Sequence, residues 1–591
     1  MFHGQYPFDA DELIKKRKSI LRGLRSQAGA GIFIEKKVAI LGGSTTASIK
    51  ELLEIFLLTN GILPIFYESE YAQYWQTAMF SEDLPAFKPD IIFIHTTFRN
   101  ITELPAMGDS GVDIDNKLEK QFNHFKTMWE RLANACRCPI IQNNFERPIW
   151  RLMGNSDVSD VHGASNFVSR LNQCFYKYAQ AGKNFYINDI DYLSASFGLA
   201  SWHDNSAWYM FKCAMAVSAM PELAFSVANI IKSIYGKNKK AFVLDLDDTL
   251  WGGVIGDDGV NGILVGEDNA AGEGYSEFQR YIKAHKDLGI LLNIASKNDE
   301  NNAMLGLNHP DGVLKSDDFA VIKANWDSKD INVRAIASTL NIGLDSLVFI
   351  DDNPAERMLV KENVTTVAVP ELASANDYIK VLDGAGYFEV TTLTADDLSR
   401  GQMYLDNARR QQQQGQFSNY DDFLCSLGMV ATIAPFEQLY ISRIAQLANK
   451  TNQFNLTTRR YTEAQITAIA SSADYIALYG KLTDKFGDNG LVSVIIGRKG
   501  GGKLEVELWL MSCRVLKRGL EYAMFDKLVQ LAVQSNVETI IGYYYPTDKN
   551  TMVKEFYGEL GFTKTNEVAD GTSTWEYKTA NHSTKNNVIK T

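Results

Sequence analysis

The stretch AFVLDLDDTLWGG, residues 241–253, decides how the rest of the chain is interpreted. Its first four residues predict a buried strand, and the carboxylates of Asp245, Asp247 and Asp248 follow directly. Side chains two positions apart on an extended chain point the same way, so Asp245 and Asp247 face one site. Carboxylates this close raise one another's pKa unless a cation lies among them. The pattern therefore favours a hard, oxygen-binding ion, Mg²⁺ above all.

Taken alone, these residues could merely cap a helix or close a turn, but three later segments argue against that. Each supplies a polar residue at a predicted strand end or helix start: Ser296 in GILLNIASKND (289–299), Lys329 in ANWDSKDIN (324–332), and Asp351 with Asp352 in SLVFIDDNPAER (346–357). The order of an aspartate pair, a serine, a lysine and a second aspartate pair resembles that of the haloacid dehalogenase (HAD) superfamily of phosphohydrolases.

The resemblance and the charges together imply a role for each residue. Asp245 is the expected nucleophile, which forms an aspartyl-phosphate, and Asp247 is the expected general acid and then base. The expected Mg²⁺ ligands are Asp245, the backbone carbonyl of Asp247, and Asp351, with Asp352 in an outer or water-bridged position. The expected phosphate-binding residues are Lys329, which also counts as catalytic, Thr249, Ser296 and Asn298.

Length and composition narrow the class of protein. A chain of 591 residues predicts about three domains, and 45% apolar with 22% charged residues is typical of globular protein. The net charge of −12 argues against a nucleic-acid partner. The sequence contains no apolar run long enough for a membrane helix and no apolar core of a signal peptide, so no membrane segment is predicted. The six cysteines form no paired framework, which favours a reducing cytoplasm.

Residues 1–236 alternate predicted strands and helices, which indicates a parallel sheet with helices on both faces. Ser44 after a glycine turn, Asn100 at a later strand end and His203 near the end of the region resemble the order of SGNH/GDSL hydrolases. The usual acidic residue before the serine is replaced by Gly43, and no aspartate stands three residues before His203. We therefore expect an SGNH/flavodoxin-like docking or recognition domain, and leave a catalytic role for Ser44 and His203 open.

Residues 237–385 form the predicted HAD domain, a three-layer Rossmann-like α/β unit. Many HAD enzymes insert a cap domain after the first motif or between the second and third, but here the gaps at 250–289 and 300–328 are short. The predicted active site is therefore open. An open site suits a substrate that a macromolecule holds or a neighbouring domain covers, rather than a free small metabolite.

A helical connector is predicted at 386–427, an α+β domain at 428–580, and a disordered tail at 581–591. The order of strands and helices in 428–580 resembles the GNAT acyltransferase fold, whose pyrophosphate loop reads R/Q-x-x-G-x-G/A. Here the loop reads RVLKRG, from Arg514 to Gly519, and Lys517 replaces the first glycine. This replacement argues against ordinary acetyl-CoA binding.

Taken together, DLDDTLWGG, ASKND, FIDDNPAER, TNQFNLTTRRY (451–461) and LMSCRVLKRGLE resemble the FkbH family over essentially the whole chain. The resemblance implies an enzyme that takes a glyceryl unit from 1,3-bisphosphoglycerate, removes phosphate and loads the unit as a thioester on an acyl carrier protein. Two alternatives stay open. One is a stand-alone small-molecule phosphatase with flanking assembly domains. The other is a scaffold with a vestigial site, which the complete set of acidic motif residues argues against.

Cys513 is a further candidate because it lies at a predicted strand-to-helix junction. A helix dipole together with Arg514, Lys517 and Arg518 would lower the pKa of its thiol. Such a thiolate could carry an acyl group, and the cations could dock the phosphate or acidic surface of a carrier protein. The alternative is a small residue packed under the helix.

Overall fold

The computed structural model describes residues 6–28, 33–182, 184–547 and 549–591. The chain forms two compact units, Met1–Ile234 and Tyr235–Thr591. The first contains one sheet and the second contains two, and helices accompany every sheet. The predicted α/β class is confirmed.

The first unit is built on a parallel sheet of five strands in the order β2-β1-β3-β4-β5. Its strands are β1 (Ile34–Gly42), β2 (Ile62–Glu68), β3 (Ile91–His95), β4 (Ile140–Asn143) and β5 (Phe185–Asn188). Its helices are α1 (Ala10–Ala28), α2 (Ala47–Thr59), α3 (Tyr74–Phe80), α4 (Asp83–Phe87), α5 (Gly111–Cys136), α6 (Ala164–Ala181), α7 (Ile190–Phe197), α8 (Leu199–Trp202), α9 (Asn205–Phe211) and α10 (Met220–Ile234). This strand order is the flavodoxin-like one. Successive parallel strands are added on one side of β1 and then, from β3 onward, on its other side.

The second unit begins with a four-stranded parallel sheet in the order β8-β7-β6-β9. Its strands are β6 (Ala241–Leu244), β7 (Leu291–Ser296), β8 (Val321–Ala324) and β9 (Leu347–Ile350). Its helices are α11 (Ile255–Asp258), α12 (Ala270–Asp287), α13 (Glu300–Leu307), α14 (Lys329–Leu340), α15 (Pro354–Asn363) and α16 (Tyr378–Gly384). Leu244 pairs with Ile294 of β7 and Ile350 of β9, so the residues that follow these strands meet at one edge of the sheet.

No cap domain stands over this edge in residues 250–328, all of which the structure describes. Between β6 and α12 the chain forms only the short helix α11 and a bridge between Gly252 and Leu264. The later segment contains α13 and β8, which belong to the layers of the domain. The short gaps therefore leave the carboxyl edge without a covering domain of its own.

Three helices connect this domain to the last one: α17 (Ala395–Leu398), α18 (Arg400–Gln414) and α19 (Tyr420–Ser426). The last sheet has the order β10-β12-β13-β14-β15-β17-β16. Its strands are β10 (Val430–Pro435), β11 (Phe454–Asn455), β12 (Tyr475–Asp484), β13 (Gly487–Gly500), β14 (Lys503–Met511), β15 (Thr539–Tyr544), β16 (Thr563–Glu567) and β17 (Ser573–Lys578), and its helices are α20 (Ile441–Lys450), α21 (Glu463–Ala470), α22 (Leu520–Gln534) and α23 (Phe556–Glu559).

Strands β14 and β15 are parallel neighbours for only part of their length. They pair from Lys503 to Val506, and beyond that point β11 pairs with the end of β14 instead. Leu456 then donates its N–H to the Trp509 carbonyl and accepts from the Tyr545 N–H. The segment that follows α20 therefore fills the fork between these two strands.

The prediction of a disordered tail at 581–591 is wrong. The backbone N–H groups of Lys585 and Asn586 donate to the carboxylate of Asp526, at 2.9–3.0 Å. Ile589 is buried, and Lys590 exchanges backbone hydrogen bonds with the segment at Met429 and Ala431. Apolar burial and these polar contacts fix the tail against the last domain. Among the residues that the structure describes, no helix is long and apolar enough to cross a membrane.

Candidate active site

The predicted HAD residues meet at the carboxyl edge of the sheet β8-β7-β6-β9. Asp245 directly follows β6, Ser296 ends β7, and Asp351 directly follows β9. Lys329 is the first residue of α14. Each of these local segments is a short apolar strand or a helix start, so the fold alone brings the four side chains to one edge.

Lys329 connects the two aspartates that follow β6 and β9. Its ammonium lies 2.6 Å from Asp245 Oδ1 and 3.0 Å from Asp351 Oδ2, and donates to the Ala295 carbonyl at 2.9 Å. Burial alone would lower the pKa of Lys329, but the two carboxylates raise it above the ordinary lysine value. Lys329 is therefore a permanent cation between the predicted nucleophile and a predicted metal ligand.

One lysine does not balance the acidic charge here. One carboxylate oxygen from each of Asp245, Asp351 and Asp352 lies within 4.8 Å of the other two. Burial, and then the charge of Asp245, raises the pKa of Asp351 to about 7, and the same two causes raise the pKa of Asp352. A set of hard oxygen donors with raised pKa values is suited to a divalent cation. The geometry groups a carboxylate oxygen of Asp352 with those of Asp245 and Asp351, and the outer or water-bridged position of Asp352 stays a prediction.

Asp247 has a different environment from Asp245. Its Oδ1 accepts from the Trp251 indole at 2.9 Å and from the Ile255 N–H at 3.0 Å, and its Oδ2 accepts from Asn298 at 2.9 Å. Burial raises its pKa above the ordinary value in spite of these donors. A carboxyl group held in one orientation with a raised pKa is suited to proton transfer. The amide of Asn298, for which the sequence predicts a phosphate contact, thus donates to this carboxyl group.

The two predicted hydroxyl groups lie inside the site. Thr249 is fully buried, and its hydroxyl accepts from the Asp352 N–H at 3.1 Å and lies 3.4 Å from Asp352 Oδ1. Ser296 is buried at the end of β7, and its backbone carbonyl accepts from the Asn325 N–H. Thr249 therefore connects the turn after β6 to the turn after β9.

Sequence reasoning assigned no role to the residues that hold these turns. Asp248 has a φ of +52°, and its carbonyl accepts from the hydroxyls of Tyr378 at 3.2 Å and Tyr275 at 3.4 Å. Arg357 donates to the carbonyls of both Asp351 and Asp352, at 2.8 and 2.6 Å. Arg357 lies in the quoted motif FIDDNPAER, but only its buried contacts reveal its function.

Comparison with known proteins agrees with both parts of this description. A sequence profile of the FkbH N-terminal domain matches residues 37–232. The structure of the N-terminal part of the protein BF1531 from Bacteroides fragilis, containing a phosphatase domain complexed with Mg, is 31% identical with a TM-score of 0.59. The match covers 64% of this chain and 99% of that one. This chain belongs to the FkbH-like family.

Other similar structures correspond to a smaller part of this FkbH-like protein. The ribosomal-protein-S18-alanine N-acetyltransferase from Escherichia coli is 13% identical, with 27% of this chain and 99% of that chain covered and a TM-score of 0.21. Ard1 from Thermoplasma volcanium is 20% identical, with 25% and 97% covered and a TM-score of 0.21. No curated protein sequence matches.

The SGNH-like residues of this FkbH-like protein do not form a hydrogen-bonded catalytic pair. Ser44 is buried after β1, and its hydroxyl has no hydrogen-bond partner among the described residues. Asn100 donates to the Gly43 carbonyl at 3.0 Å and accepts from the Thr97 N–H at 3.0 Å, so its amide holds a turn. Burial lowers the pKa of His203, whose ring packs edge-on against Phe98. One of the two N–H groups of the Asn100 amide is thus used within the turn.

Cys513 lies between β14 and α22, at the strand-to-helix junction that the sequence predicts, but it is not at the start of the α-helix. A single 3₁₀ turn, Cys513–Val515, follows β14, and α22 begins only at Leu520, so the dipole of that helix does not act on this thiol. Lys517 is exposed. Arg518 is ion-paired with Asp484 at 3.3 Å. Of the three predicted cations, Arg514 alone shares a cavity with Cys513.

Cys513 also lies far from the predicted nucleophile. Its cavity is lined by Lys240, which precedes β6, and by residues 341–346, which precede β9. Asp245 follows β6 at the opposite edge of the same sheet. At roughly 3.3 Å per residue, the five steps from Lys240 to Asp245 span about 16 Å. The Cys513 sulfur therefore does not reach a substrate that is held at the Asp245 centre.

Proposed function

We propose that this protein is a Mg²⁺-dependent phosphatase that acts through an aspartyl-phosphate, within an FkbH-like enzyme that loads an acyl unit from an acyl phosphate onto an acyl carrier protein. The proposed phosphatase activity rests on the different environments of the two carboxyl groups that follow β6. Asp245 lies against the Lys329 cation and two further carboxylates, whereas Asp247 is held by three uncharged donors. Two neighbouring carboxyl groups with different environments are suited to a nucleophile and a proton donor.

In the first step an Asp245 oxygen attacks phosphorus and the bond from phosphorus to the leaving oxygen breaks. Protonated Asp247 gives its proton to that leaving oxygen, which departs as an alcohol, so this step removes an ester phosphate and an acyl phosphate keeps its activated carboxyl group for loading. The Lys329 ammonium and the Thr249 and Ser296 hydroxyls stabilise the charge that develops on the equatorial phosphate oxygens.

In the second step ionised Asp247 takes a proton from a water molecule that attacks the phosphorus of the aspartyl-phosphate. The bond from phosphorus to Asp245 breaks, inorganic phosphate leaves and Asp247 is again protonated. Mg²⁺, held by Asp245, Asp351 and Asp352 with the Asp247 carbonyl, would offset the negative charge of nucleophile and phosphate. The acidic cluster and the Mg reported for the related BF1531 structure support this choice of ion.

The acyl-loading activity and the carrier partner rest on family membership and on the uncapped site. An edge without a cap domain leaves room for a substrate that a carrier protein presents. A second candidate, a stand-alone small-molecule phosphatase, is favoured by the separation of Cys513 from Asp245. That separation excludes attack of the Cys513 sulfur on an acyl phosphate held at the Asp245 centre.

Two assays on purified full-length protein test the proposal. The first measures phosphate release from an aryl phosphate with Mg²⁺ and with chelator, and we expect activity only with the metal. The second incubates the protein with an acyl phosphate and a carrier protein and measures the carrier mass. An acylated carrier supports loading, and phosphate release without any carrier acylation supports the stand-alone phosphatase. Absence of phosphate release under every condition contradicts both candidates.

A further inference from the structure

A second cavity, of about 390 Å³, lies between the HAD sheet and the last domain. Its lining combines the amino ends of β6 and β9 with α18, α20 and the turn after β14. Six basic side chains from five segments line it: Lys240, Arg400, Arg443 and Lys450 of α20, Arg514 and Lys549. The volume is in the range of small-molecule sites.

The basic charge of this cavity is only partly compensated. Arg400 and Lys450 share Asp397. Arg443 pairs with Asp396 at 2.9 Å, and Lys549 pairs with Asp345. These four cations therefore have three carboxylate partners.

The other two cations, Lys240 and Arg514, form no ion pair with a carboxylate among the residues that the structure describes, and Asp345 and Asp396 act on them only from farther away. Arg514 is 8% exposed, and its Nε donates only to the neutral Ser512 hydroxyl, at 3.2 Å. A buried cation such as Arg514 is costly unless a negative charge offsets it.

The lowered pKa values of basic residues that line the cavity agree with this excess of positive charge. Burial lowers the pKa of Lys450 to about 7 although Asp397 acts in the opposite direction, and Arg400, Arg443 and Lys240 lower it further. Burial also lowers the pKa of Arg443 to about 10 and that of Lys240. A bound anion would oppose each of these changes.

We propose that this cavity binds the phosphate group of an organic phosphate, at a site separate from the Asp245 centre. Guanidinium and ammonium donors that converge from several directions suit the tetrahedral oxygens of phosphate. The cavity is also larger than one phosphate ion requires, so it has room for an attached organic group. The ligand is either a small phosphate ester or the phosphopantetheine arm of a carrier, and both present the same group to these cations.

Calorimetry on the full-length Asp245→Asn protein in chelator tests the site without turnover. The ligands are inorganic phosphate, glycerol phosphate and 4′-phosphopantetheine. We expect Lys240→Met and Lys450→Met each to weaken binding about tenfold, the order of one charge-assisted contact. Lys503→Met, an exposed lysine of the last domain, should leave binding unchanged. Tighter binding of phosphopantetheine than of glycerol phosphate identifies the carrier arm, and the reverse order identifies a small ester.

A measurement on the unaltered protein covers the case in which a variant does not fold. An amine-acylating reagent at pH 8 is followed by mass spectrometry, with and without each phosphate ligand. We expect the ligand to protect Lys240 and Lys450 but not Lys503. Unchanged labelling of Lys240 and Lys450 at saturating ligand, or binding equal in all three variants, overturns the proposal. None of these results depends on whether Asp245 forms an aspartyl-phosphate.

Discussion

The Lys329 ammonium lies 2.6 Å from the Asp245 carboxylate and is almost completely buried against it. The same ammonium lies 3.0 Å from Asp351, so one cation joins the residues that follow two neighbouring strands. Removing one partner of a buried ion pair leaves an uncompensated charge, which costs more than the pair contributes. Lys329 therefore stabilises the two carboxylates that it joins, and in the proposed mechanism it also contacts the phosphate.

The variant Lys329→Met tests this dual role. Because Asp245 and Asp351 lose their shared cation, we expect the metal-free protein to lose about 3–5 kcal/mol of stability at pH 7.5. Urea unfolding of the wild type and the variant measures the loss. The exposed pair of Lys361 with Glu371 supplies a control, because Lys361→Met should cost about 1 kcal/mol or less. Equal effects of the two substitutions would contradict the assigned role of Lys329.

The variant Asp245→Asn tests the nucleophile. An amide does not form the acyl-phosphate, so we expect phosphate release from an aryl phosphate to fall by about 10⁴-fold or more. Single-turnover phosphate release measures it, and Asp257→Asn, at an exposed position beside the site, serves as the control. Activity within about tenfold of the wild type would exclude Asp245 as the nucleophile.

The raised pKa of Asp351 predicts how the stability of the metal-free protein changes with pH. Its folded value of about 7 lies above the ordinary value of 3.8, so the folded state binds more protons than the unfolded state between these values. The contribution of Asp351 therefore makes stability fall as pH rises from about 4 to about 7, and a bound divalent cation should remove that fall.

Thermal unfolding at pH 5 and pH 7.5, with chelator and with Mg²⁺, measures this effect. We expect the midpoint in chelator to be lower at pH 7.5, and Mg²⁺ to raise the midpoint mainly at that pH. Asp351→Asn removes the titrating group and should flatten the dependence. A midpoint in chelator that rises over this range in the wild type and the variant alike would contradict the predicted contribution.

Trp251 is predicted to tune the acid Asp247. Its indole N–H stabilises the ionised carboxylate, so Trp251→Phe should raise the pKa of Asp247 further. Because the first step needs protonated Asp247, the alkaline limb of kcat for an alkyl phosphate should move to higher pH. Trp326, which is exposed, gives the control variant Trp326→Phe. An unmoved alkaline limb in Trp251→Phe would mean that Asp247 is not the acid.

The sequence predicts a site residue correctly where the same short segment contains both the residue and the strand or helix that positions it. Asp245, Ser296 and Asp351 each end a buried apolar run, and parallel strands then bring them to one edge without further information. The position of Lys329 follows from a helix start in the same way. Local pattern was sufficient for these residues because each needs only its own strand or helix.

The remaining features depend on contacts between distant segments. Asn298 contacts Asp247 because the turn after β7 packs against the turn after β6. The tail is ordered because Asp526 on α22 accepts its backbone N–H groups. The six cations of the second cavity come from positions 240 to 549, so no local pattern connects them. Only the packing of the two domains reveals such sets.

The last prediction concerns Cys513, whose thiol lies at the second cavity and contacts the Tyr404 hydroxyl at 3.9 Å. The roughly 16 Å between the two edges of the sheet excludes direct transfer from the Asp245 centre. An acyl relay through Cys513 therefore requires a carrier arm that moves between the sites. The alternative is that Cys513 only packs against the HAD core, of which it forms the edge.

Cys513→Ser and Cys513→Ala, assayed separately for aryl-phosphate hydrolysis and carrier acylation, distinguish these two possibilities. We expect hydrolysis to stay within about twofold of the wild type in both variants, because the Asp245 centre is at the opposite edge. If Cys513 carries the acyl group, the covalent acyl-enzyme and carrier acylation disappear in both. If carrier acylation survives in Cys513→Ala, the acyl group passes to the carrier without this thiol.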